Sequence, residues 1–298
     1  MPRRQQIGTV MVLASATCFG SLAILAKYAY AAGLGAEQAL AFRFALAALG
    51  MVALSFLLGH NLLRMERTRS LVLFGMGFAG YCTQSLTYFV ALRTLPASLV
   101  VLIAYIYPSL VVAAGWLFLR RAVSARHLVA LAASFLGLVL LVGGGAHVEL
   151  SWALVLAVAS PVIYTAYILV GERVMDSGPA LPASAVIISG AALAFCLLAA
   201  LNHQLALPLH ASGWAVVIGL AVIPTMLAIS LFLAGLPRVG AARAALLSTW
   251  EPVVTVALAV LLLGDRMSPI QVLGGILVLV AVVVVQGGQT WKPVAHID

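Results

Sequence analysis

The sequence predicts an all-α membrane protein with ten transmembrane helices, arranged as two inverted repeats of five helices each. Three observations predict this fold: continuous apolar segments, Lys and Arg residues concentrated in alternate connections, and similarity between the two halves of the chain. Of the 298 residues, 64% are hydrophobic and 8% are charged, whereas about 25% are charged in an ordinary soluble domain. So few charges cannot cover a surface that faces water, and the apolar excess is expected to face lipid.

Ten apolar segments are long enough to cross a bilayer, which takes about 20 residues in a helix. In chain order they lie near residues 7–31, 37–59, 70–92, 97–119, 124–143, 151–171, 182–201, 212–234, 240–264 and 269–286. The first is too long for the core of a signal peptide and has no clear cleavage site after it, so we expect a permanent helix. The alternating pattern of a membrane β-barrel does not occur, which leaves helices to satisfy the backbone in lipid.

The basic residues predict the orientation of these helices. On one side of the predicted membrane lie twelve of the 16 Lys and Arg residues: Arg3, Arg4, Arg64, Arg67, Arg69, Arg120, Arg121, Arg126, Arg173, Arg238, Arg243 and Lys292. The other four, Lys27, Arg43, Arg93 and Arg266, lie on or toward the opposite side. Because cytoplasmic connections carry the excess of positive charge, both termini are expected in the cytoplasm. The basic residues form no stripe or arm, so no nucleic-acid partner is expected.

The two halves of the sequence are related by a shift of 144 positions. The matched pairs include Leu92 and Leu236, Ala97 and Ala241, Pro108 and Pro252, and Ser124 and Ser268. We therefore expect one repeat over residues 1–146 and the other over residues 147–298. An odd number of helices in each repeat requires the second to cross the membrane in the opposite sense, an arrangement typical of secondary transporters.

Several short motifs, in their order along the chain, resemble the EamA-type members of the drug/metabolite transporter superfamily. These motifs are Phe19-Gly20, Lys27, Arg43, Tyr88-x-x-Ala91-Leu92, Ala97, Tyr107-Pro108, Gly235-Leu236, Ala241, Glu251-Pro252 and Leu263-Gly264-Asp265. The chain departs from the frequent Gly-Glu of that family after the fourth helix, where it has Leu119-Arg120-Arg121, and after the ninth, where it has Gly264-Asp265. It looks most like the bacterial YddG-type exporters of aromatic amino acids. That resemblance implies ten helices in two inverted repeats, a place in the bacterial cytoplasmic membrane and export of such amino acids.

An ionisable residue near the middle of a membrane helix needs an explanation, because each costs about 2.5 to 3.5 kcal/mol on insertion scales. Glu251 is such a residue, and it directly precedes Pro252, which removes a backbone hydrogen bond from the ninth helix. Two interpretations stay open. Either Glu251 titrates or contacts substrate, or it pairs with a neighbouring hydroxyl, amide or basic group, and in both cases it faces the protein interior.

Arg43 and Lys27 are candidates for a gate or for a charge in the pathway. Arg43 is expected about 9 Å below the outer end of the second helix. There its side chain either snorkels to the interface or pairs with a loop acid such as Glu37, or else it belongs to an outer gate or holds a substrate carboxylate. Lys27 lies nearer an interface, where snorkelling is the simpler interpretation.

Four prolines are predicted to interrupt membrane helices. Pro108 and Pro252 fall about halfway through the fourth and ninth helices and are predicted hinges, and Pro161 and Pro224 are predicted to break the sixth and eighth. A break frees carbonyl groups that need a cavity, a side chain or water, which is why broken helices often line transport pathways. The alternative at each site is a tolerated bend at a packing contact.

Polar and aromatic side chains recur at helical spacing in several spans, and we predict that they line a substrate pathway. The predicted pathway residues are Tyr81, Gln84, Tyr88, Tyr105, Ser109, Tyr164, Tyr167, Ser248, Trp250 and Glu251. Such a lining suits a zwitterion with an apolar or aromatic side chain, because rings stack and hydroxyls bond to ammonium or carboxylate groups. The alternative is that Ser and Thr mediate helix packing and that Tyr belongs to the interfacial belt.

Other small residues in the spans are predicted to serve packing. The glycines predicted at close helix contacts are Gly75, Gly77, Gly80, Gly137, Gly274 and Gly275. Cys18, Cys82 and Cys196 lie in apolar segments without CxxC spacing, which predicts small core residues and neither disulfides nor zinc ligands.

The sequence has no motif for a cofactor or a metal, and none is expected. It lacks a GxxxxGK[ST] phosphate loop, and its six histidines lie in loops, at span ends or in the tail, without HxxxH or HExxH spacing. A membrane-embedded enzyme needs acids, His or Cys clustered at one depth, and a channel needs rings of carbonyls or charges. Neither pattern is evident.

The resulting hypothesis is a secondary transporter that exports small metabolites, namely amino acids including aromatic ones, by alternating access. The alternatives are export of other metabolites or drugs within the same superfamily and, last, a membrane-embedded enzyme. The expected partners are the small-molecule substrate and the lipid bilayer. Counter-transport of protons through Glu251 and facilitated diffusion both stay open.

Overall fold

The computed structural model describes residues 3–60, 62–119, 124–144, 151–175, 179–207 and 210–287, and these residues are almost entirely helical. The α-helices are α1 Arg3–Gly20, α2 Leu22–Ala31, α3 Ala36–Leu57, α4 Arg67–Gly75, α5 Cys82–Leu92, α6 Ala97–Ala104, α7 Tyr107–Leu119, α8 Ala125–Gly143, α9 Trp152–Met175, α10 Ala180–Leu201, α11 Ala211–Ala221, α12 Ala228–Val239, α13 Ala241–Ser248, α14 Trp250–Leu258 and α15 Pro269–Gly287. A 3₁₀ turn covers Leu62–Arg64, and three π-helical segments are π1 Met76–Tyr81, π2 Val222–Leu227 and π3 Ala259–Leu263. The described chain contains no strand, which confirms the all-α class.

Nine helical stretches of the described chain are long and apolar enough to cross a membrane. They are Arg3–Ala31, Ala36–Leu57, Ala97–Phe118, Ala125–Gly143, Trp152–Gly171, Ala180–Leu201, Ala211–Val239, Arg243–Leu263 and Pro269–Gln286. Each coincides with a predicted span, so the chain is a multi-pass membrane protein. The third predicted span, near residues 70–92, is not among the nine. It corresponds to the unbroken run of α4, π1 and α5, whose polar Thr83, Gln84 and Ser85 lower its hydropathy.

Some sequence expectations fall outside the described residues. The expected boundary between the repeats, at residues 146–147, is one of them, and Arg120, Arg121 and Lys292, which support the predicted orientation, are others.

Two of the spans are broken in the middle at related positions. Helix α6 ends at Ala104, four residues before Pro108, and α13 ends at Ser248, four residues before Pro252. Proline lacks the N–H that would bond to the carbonyl four residues earlier, and its ring crowds that carbonyl. Each of these spans is therefore two short helices joined end to end.

The other two prolines behave differently from the prediction. Helix α9 continues through Pro161, so the predicted break there is wrong. Neighbouring groups can re-satisfy the backbone at a proline within a membrane helix. Pro224 lies inside π2, where the helix widens and does not end.

The helices of the two halves pack against each other in matched pairs. Such pairs include α1 with α12, α5 with α9, α3 with α10, α8 with α15 and, with a smaller contact, α6 with α14. In terms of the ten predicted spans, span 1 packs with span 8, 3 with 6, 2 with 7, 5 with 10 and 4 with 9. The counterpart of each span in the other repeat lies five places away in this numbering. Exchanging every span for its counterpart gives the same set of pairs. The main apolar core includes the contact of α3 with α10, where the rings of Phe44 and Phe195 stack at 5.3 Å.

Glycines allow two helix pairs to approach closely, π1 with α10 and α8 with α15. A Cβ atom added to Gly77 would lie 1.9 Å from the carbonyl oxygen of Ile187 in α10, and one added to Gly137 would lie 2.7 Å from that of Gly274 in α15. These positions therefore accept only glycine unless the backbone moves. Gly75 differs, since nothing lies within 4 Å of its added Cβ.

Candidate functional site

A cavity of about 330 Å³ lies between the two halves of the molecule. Its lining residues are Phe19, Leu22, Arg43, Tyr81, Gln84, Ser85, Tyr88, Phe89, Val101, Ala104, Tyr105, Tyr107, Ser160, Pro161, Tyr164, Phe232, Ser248 and Glu251. The breaks after α6 and α13 both reach it, so the helix ends at the two breaks contribute polar groups to an otherwise apolar interior.

Arg43 supplies a cation to the cavity wall. Its side chain is only 2% exposed, and its Nε donates a hydrogen bond of 3.0 Å to Thr225 Oγ1 in π2. The Thr225 hydroxyl donates its own hydrogen to the Leu220 carbonyl at 2.9 Å, which leaves its lone pairs for the guanidinium. The guanidinium carbon also lies 4.7 Å from the ring centre of Phe44 and 5.6 Å from that of Phe89, within the range of cation–π attraction.

Glu251 supplies an acid at the break between α13 and α14. Its carboxylate accepts a hydrogen bond of 2.9 Å from the Tyr105 hydroxyl, which also lies 3.0 Å from the Ser248 carbonyl oxygen. The side chain is only partly buried because it faces the cavity. Helix α1 packs closely behind it, since a Cβ added to Gly20 would lie 3.0 Å from the Glu251 carbonyl oxygen. An acid and a broken helix thus meet at one point of the wall.

Five tyrosine rings form a continuous arc from Glu251 toward Arg43. Along the arc the ring centres are separated by 5.9 Å from Tyr105 to Tyr107, 4.9 Å from Tyr107 to Tyr164, 5.8 Å from Tyr164 to Tyr167 and 5.8 Å from Tyr167 to Tyr81. Tyr81 then meets the Phe44 ring that lies under the guanidinium. The arc gives the cavity an aromatic wall whose two ends carry opposite ionisable groups.

Polar contacts also tie α5 to α9 beside the cavity. Gln84 Nε2 donates to Ser160 Oγ at 3.2 Å, and Ser85 Oγ lies 3.4 Å from Gln84 Oε1. These bonds hold an amide and two hydroxyls at the cavity surface. They are neutral groups that can bond to either end of a zwitterion.

The structure brings most of the predicted pathway residues together. Tyr81, Gln84, Tyr88, Tyr105, Tyr164, Ser248 and Glu251 line the cavity, as does Arg43, whose burial excludes the snorkelling interpretation. Tyr167 lies in the arc without lining the cavity.

Five predicted residues lie elsewhere. Trp250 is 46% exposed on the outer surface of α14, and Ser109 is fully buried, without a hydrogen-bond partner for its hydroxyl among the described residues. Pro108 and Pro252 set the helix breaks but do not line the cavity. Lys27 is partly buried near Asp265 and does not line the cavity.

Several residues of the site were not among the predicted pathway residues, and four of them shape it through a ring or a hydroxyl. Phe19, Tyr107 and Phe232 line the cavity, and Thr225 orients Arg43. Tyr107 had a usable signal, since it precedes Pro108 as Glu251 precedes Pro252 in the repeat. No sequence signal marked Thr225, because its hydroxyl reaches Arg43 only through the π-helical turn of π2.

The described residues hold no group of three His, Cys, Asp or Glu side chains that could bind a metal ion. The features that stand out are a polar cavity between matched helix pairs and helices broken at its wall. This architecture defines a membrane transporter.

The chain belongs to the EamA-like transporter family. The model of that family matches residues 6–143 and again residues 151–286. The chain is 29% identical over 285 residues to YcbK of Bacillus subtilis (strain 168), an uncharacterized transporter, with 91% of this chain and 90% of that protein covered. It is 28% identical over 292 residues to YicL of Salmonella typhimurium (strain LT2), an uncharacterized inner membrane transporter, with 93% and 94% covered.

A solved crystal structure shares the fold. Its TM-score with this chain is 0.65 at 20% sequence identity, over 93% of this chain and 96% of the other.

Proposed function

We propose that this member of the family is a secondary transporter that exports amino acids, including aromatic ones, by alternating access. The observation that carries the proposal is the cavity between the two halves, with Arg43 and Glu251 at opposite ends of a tyrosine arc. A molecule with a carboxylate, an ammonium group and an apolar side chain can pair with Arg43, with Glu251 and with the tyrosine rings at the same time.

The substrate part of the proposal is supported by the chemistry of each surface. A guanidinium binds a carboxylate through two parallel N–H groups, and Arg43 offers such a group within the cavity. The tyrosine faces suit stacking with an aromatic side chain. The volume of about 330 Å³ lies within the usual range for small-molecule pockets, about 300 to 1,000 Å³.

The alternating-access part rests on the matched helix pairs. Two inverted five-helix repeats would allow one half to rock against the other, with bending at Pro108 and Pro252. On the predicted outer side, α6 packs against α14 and π3, and Asp265 accepts hydrogen bonds from Ser98 N at 3.0 Å and Ser98 Oγ at 2.8 Å. On the predicted cytoplasmic side, α7 packs mainly on α9 and α13 mainly on α1. These contacts support a closed outer side and a cavity that faces the cytoplasm.

Release of labelled amino acids from liposomes that contain the purified protein tests the proposal. The expected result is faster release of phenylalanine and tryptophan than from protein-free liposomes, with at least about tenfold slower release for Arg43→Gln, because a charged hydrogen bond to the carboxylate is lost. Arg266→Gln is the matched control, since Arg266 is exposed and does not line the cavity. Release at the protein-free rate for a whole panel of amino acids contradicts the substrate class. Faster release of cationic drugs or other metabolites in that case favours the other exporters of the superfamily.

If transport is coupled to protons, we propose that Glu251 is the residue that takes up and releases the proton. With coupling, an inward proton gradient accelerates release by the parent protein and not by Glu251→Gln. Equal responses of the two proteins to the gradient remove Glu251 from a proton pathway and leave facilitated diffusion.

A further inference from the structure

The break in the ninth predicted span leaves one backbone acceptor without its helical donor. In an α-helix the Ser248 carbonyl would bond to the N–H of residue 252, which is a proline and has none. Ser248 and Glu251 both line the cavity. A carbonyl oxygen and a carboxylate are therefore presented side by side to the same space.

One donor serves both of these acceptors. The Tyr105 hydroxyl oxygen lies 2.9 Å from Glu251 Oε2 and 3.0 Å from the Ser248 carbonyl oxygen. A phenol has a single hydrogen, so it can donate to only one of them at a time. Within the described part of the chain, the two acceptors thus share a single donated hydrogen and have no basic side chain bonded to them.

We propose that the point beside these two acceptors is the binding site for the primary ammonium group of the substrate, and that the Tyr105 hydroxyl occupies it when the protein is empty. This inference rests on the proposed transport of amino acids. An ammonium group brings three N–H donors, enough for both acceptors, and a charge that pairs with the carboxylate. The adjacent ring of Tyr107, 5.9 Å from that of Tyr105, adds an aromatic face for the cation.

The repeat-related position in the first half lacks this chemistry. The shift of 144 positions places Tyr107 on Glu251 and Ala104 on Ser248, so a phenol stands where the second half has a carboxylate. The ammonium site is therefore confined to the α13–α14 break, and Arg43 lies beyond the other end of the tyrosine arc. The substrate would bind in one direction, with its amine at Glu251 and its carboxylate toward Arg43.

Binding of a ligand series to the purified full-length protein tests this site. The ligands are phenylalanine, 3-phenylpropionate, which lacks the amine, and N,N,N-trimethylphenylalanine, which keeps the charge without N–H groups. The parent protein is expected to bind phenylalanine at least about tenfold more tightly than either analogue. Each analogue loses the hydrogen bonds from the ammonium group to the carboxylate, and losing one hydrogen bond to a charged group lowers the affinity by about tenfold or more. Glu251→Gln should bind phenylalanine and 3-phenylpropionate about equally. Tyr105→Phe should bind phenylalanine several-fold more tightly, because no hydroxyl competes for the site.

Matched controls separate these effects from general damage. Tyr28→Phe and Glu66→Gln remove the same groups at exposed positions outside the cavity, and both should bind like the parent. If Glu251→Gln fails to fold, Tyr105→Phe with the three ligands decides the question.

The outcomes are distinct from those of the proposed function. No release of any amino acid from liposomes overturns the transport of amino acids itself. Transport of phenylalanine together with equal affinity for the three ligands overturns the ammonium site alone. An affinity in Tyr105→Phe that is equal to or weaker than that of the parent overturns the stand-in role of the hydroxyl.

Discussion

Arg43 and Glu251 illustrate how neighbouring groups determine the position of an ionisable side chain inside a membrane protein. Both side chains are long enough to reach in several directions, yet each is held at the cavity by a hydroxyl from the other half of the chain. Thr225 accepts from Arg43, and Tyr105 donates to Glu251. Because these bonds cross between the halves, the position of each charge depends on how the halves are packed.

Thr225→Val tests whether the hydroxyl positions Arg43 for substrate. Valine keeps the shape but removes the acceptor, so the guanidinium is expected to turn away and phenylalanine to bind about tenfold more weakly. Phenethylamine, which has no carboxylate, should bind as it does to the parent. Titration calorimetry of both ligands checks this.

Thr17→Val is the matched control for that substitution, since Thr17 is exposed and bonds only within its own helix. Equal weakening of phenylalanine and phenethylamine in Thr225→Val would point to a general disturbance and contradict the positioning role.

A charge inside an apolar segment is costly wherever it faces lipid, so Glu251, near the middle of its span, could be placed in the interior from the sequence. Arg43 could not, because a long side chain nearer the membrane surface can also snorkel to the interface. The sequence could not show that Tyr107 lines the cavity and that Trp250 does not, because an aromatic ring is stable both against lipid and in a cavity. The direction in which each ring faces depends on the helix break before it, which precedes α7 for Tyr107 and α14 for Trp250.

At the scale of the helices, the π segments and proline breaks shape the site. The segments π1 and π2 lie in the third and eighth predicted spans, which correspond in the two repeats, and they carry Tyr81 and Thr225 at the site. A π-helical turn inserts one extra residue and rotates the helix beyond it, and it often occurs at functional sites. No simple sequence signal marks such a turn, which is why Thr225 was missed.

Gly77→Leu is expected to lower the stability of the protein by about 1–3 kcal/mol or more, because the new side chain would overlap the Ile187 carbonyl of α10. Gly75→Leu is the matched control, since space is open around that position. Thermal unfolding in detergent should show a clearly lower midpoint for Gly77→Leu only. A similar loss in both variants would mean that helix propensity or lipid contact matters more than the close approach to α10.

Pro252→Ala is expected to slow amino acid release about fivefold while the protein stays folded. The new N–H can bond to the Ser248 carbonyl and straighten the span, and one backbone hydrogen bond of about 1 kcal/mol changes a rate by about that factor. Pro269→Ala serves as the control, since a proline at the first position of a helix such as α15 replaces no intrahelical donor. Release by Pro252→Ala at the parent rate would remove the hinge role.

At the scale of the whole molecule, hydropathy and the repeat predicted most of the fold. Nine of the ten predicted spans coincide with helices of the described chain that are long and apolar enough to cross a membrane. The exception, near residues 70–92, is the span whose Gln84 and Ser85 line the cavity. Its low hydropathy and its place at the site have the same cause, since a helix that lines a polar cavity cannot be uniformly apolar.

Cysteine labelling tests the proposed orientation with both termini in the cytoplasm. In a variant without Cys18, Cys82 and Cys196, His203→Cys should react with a membrane-impermeant maleimide added to intact cells. Arg64→Cys should react only after the membrane is opened. Both positions are exposed, so accessibility does not favour either one, and the reverse pattern would overturn the orientation.

The correspondence of Tyr107 with Glu251 has an energetic consequence for the proposed transporter. Two identical repeats that exchange their conformations would pass between two states of equal free energy. Here one repeat has a phenol where the other has a carboxylate, so the exchange would move the carboxylate from one environment to a different one. The two states would then differ in free energy. On the proposed mechanism, the empty protein therefore has a resting state that its own sequence selects, before any substrate gradient or membrane voltage acts on it.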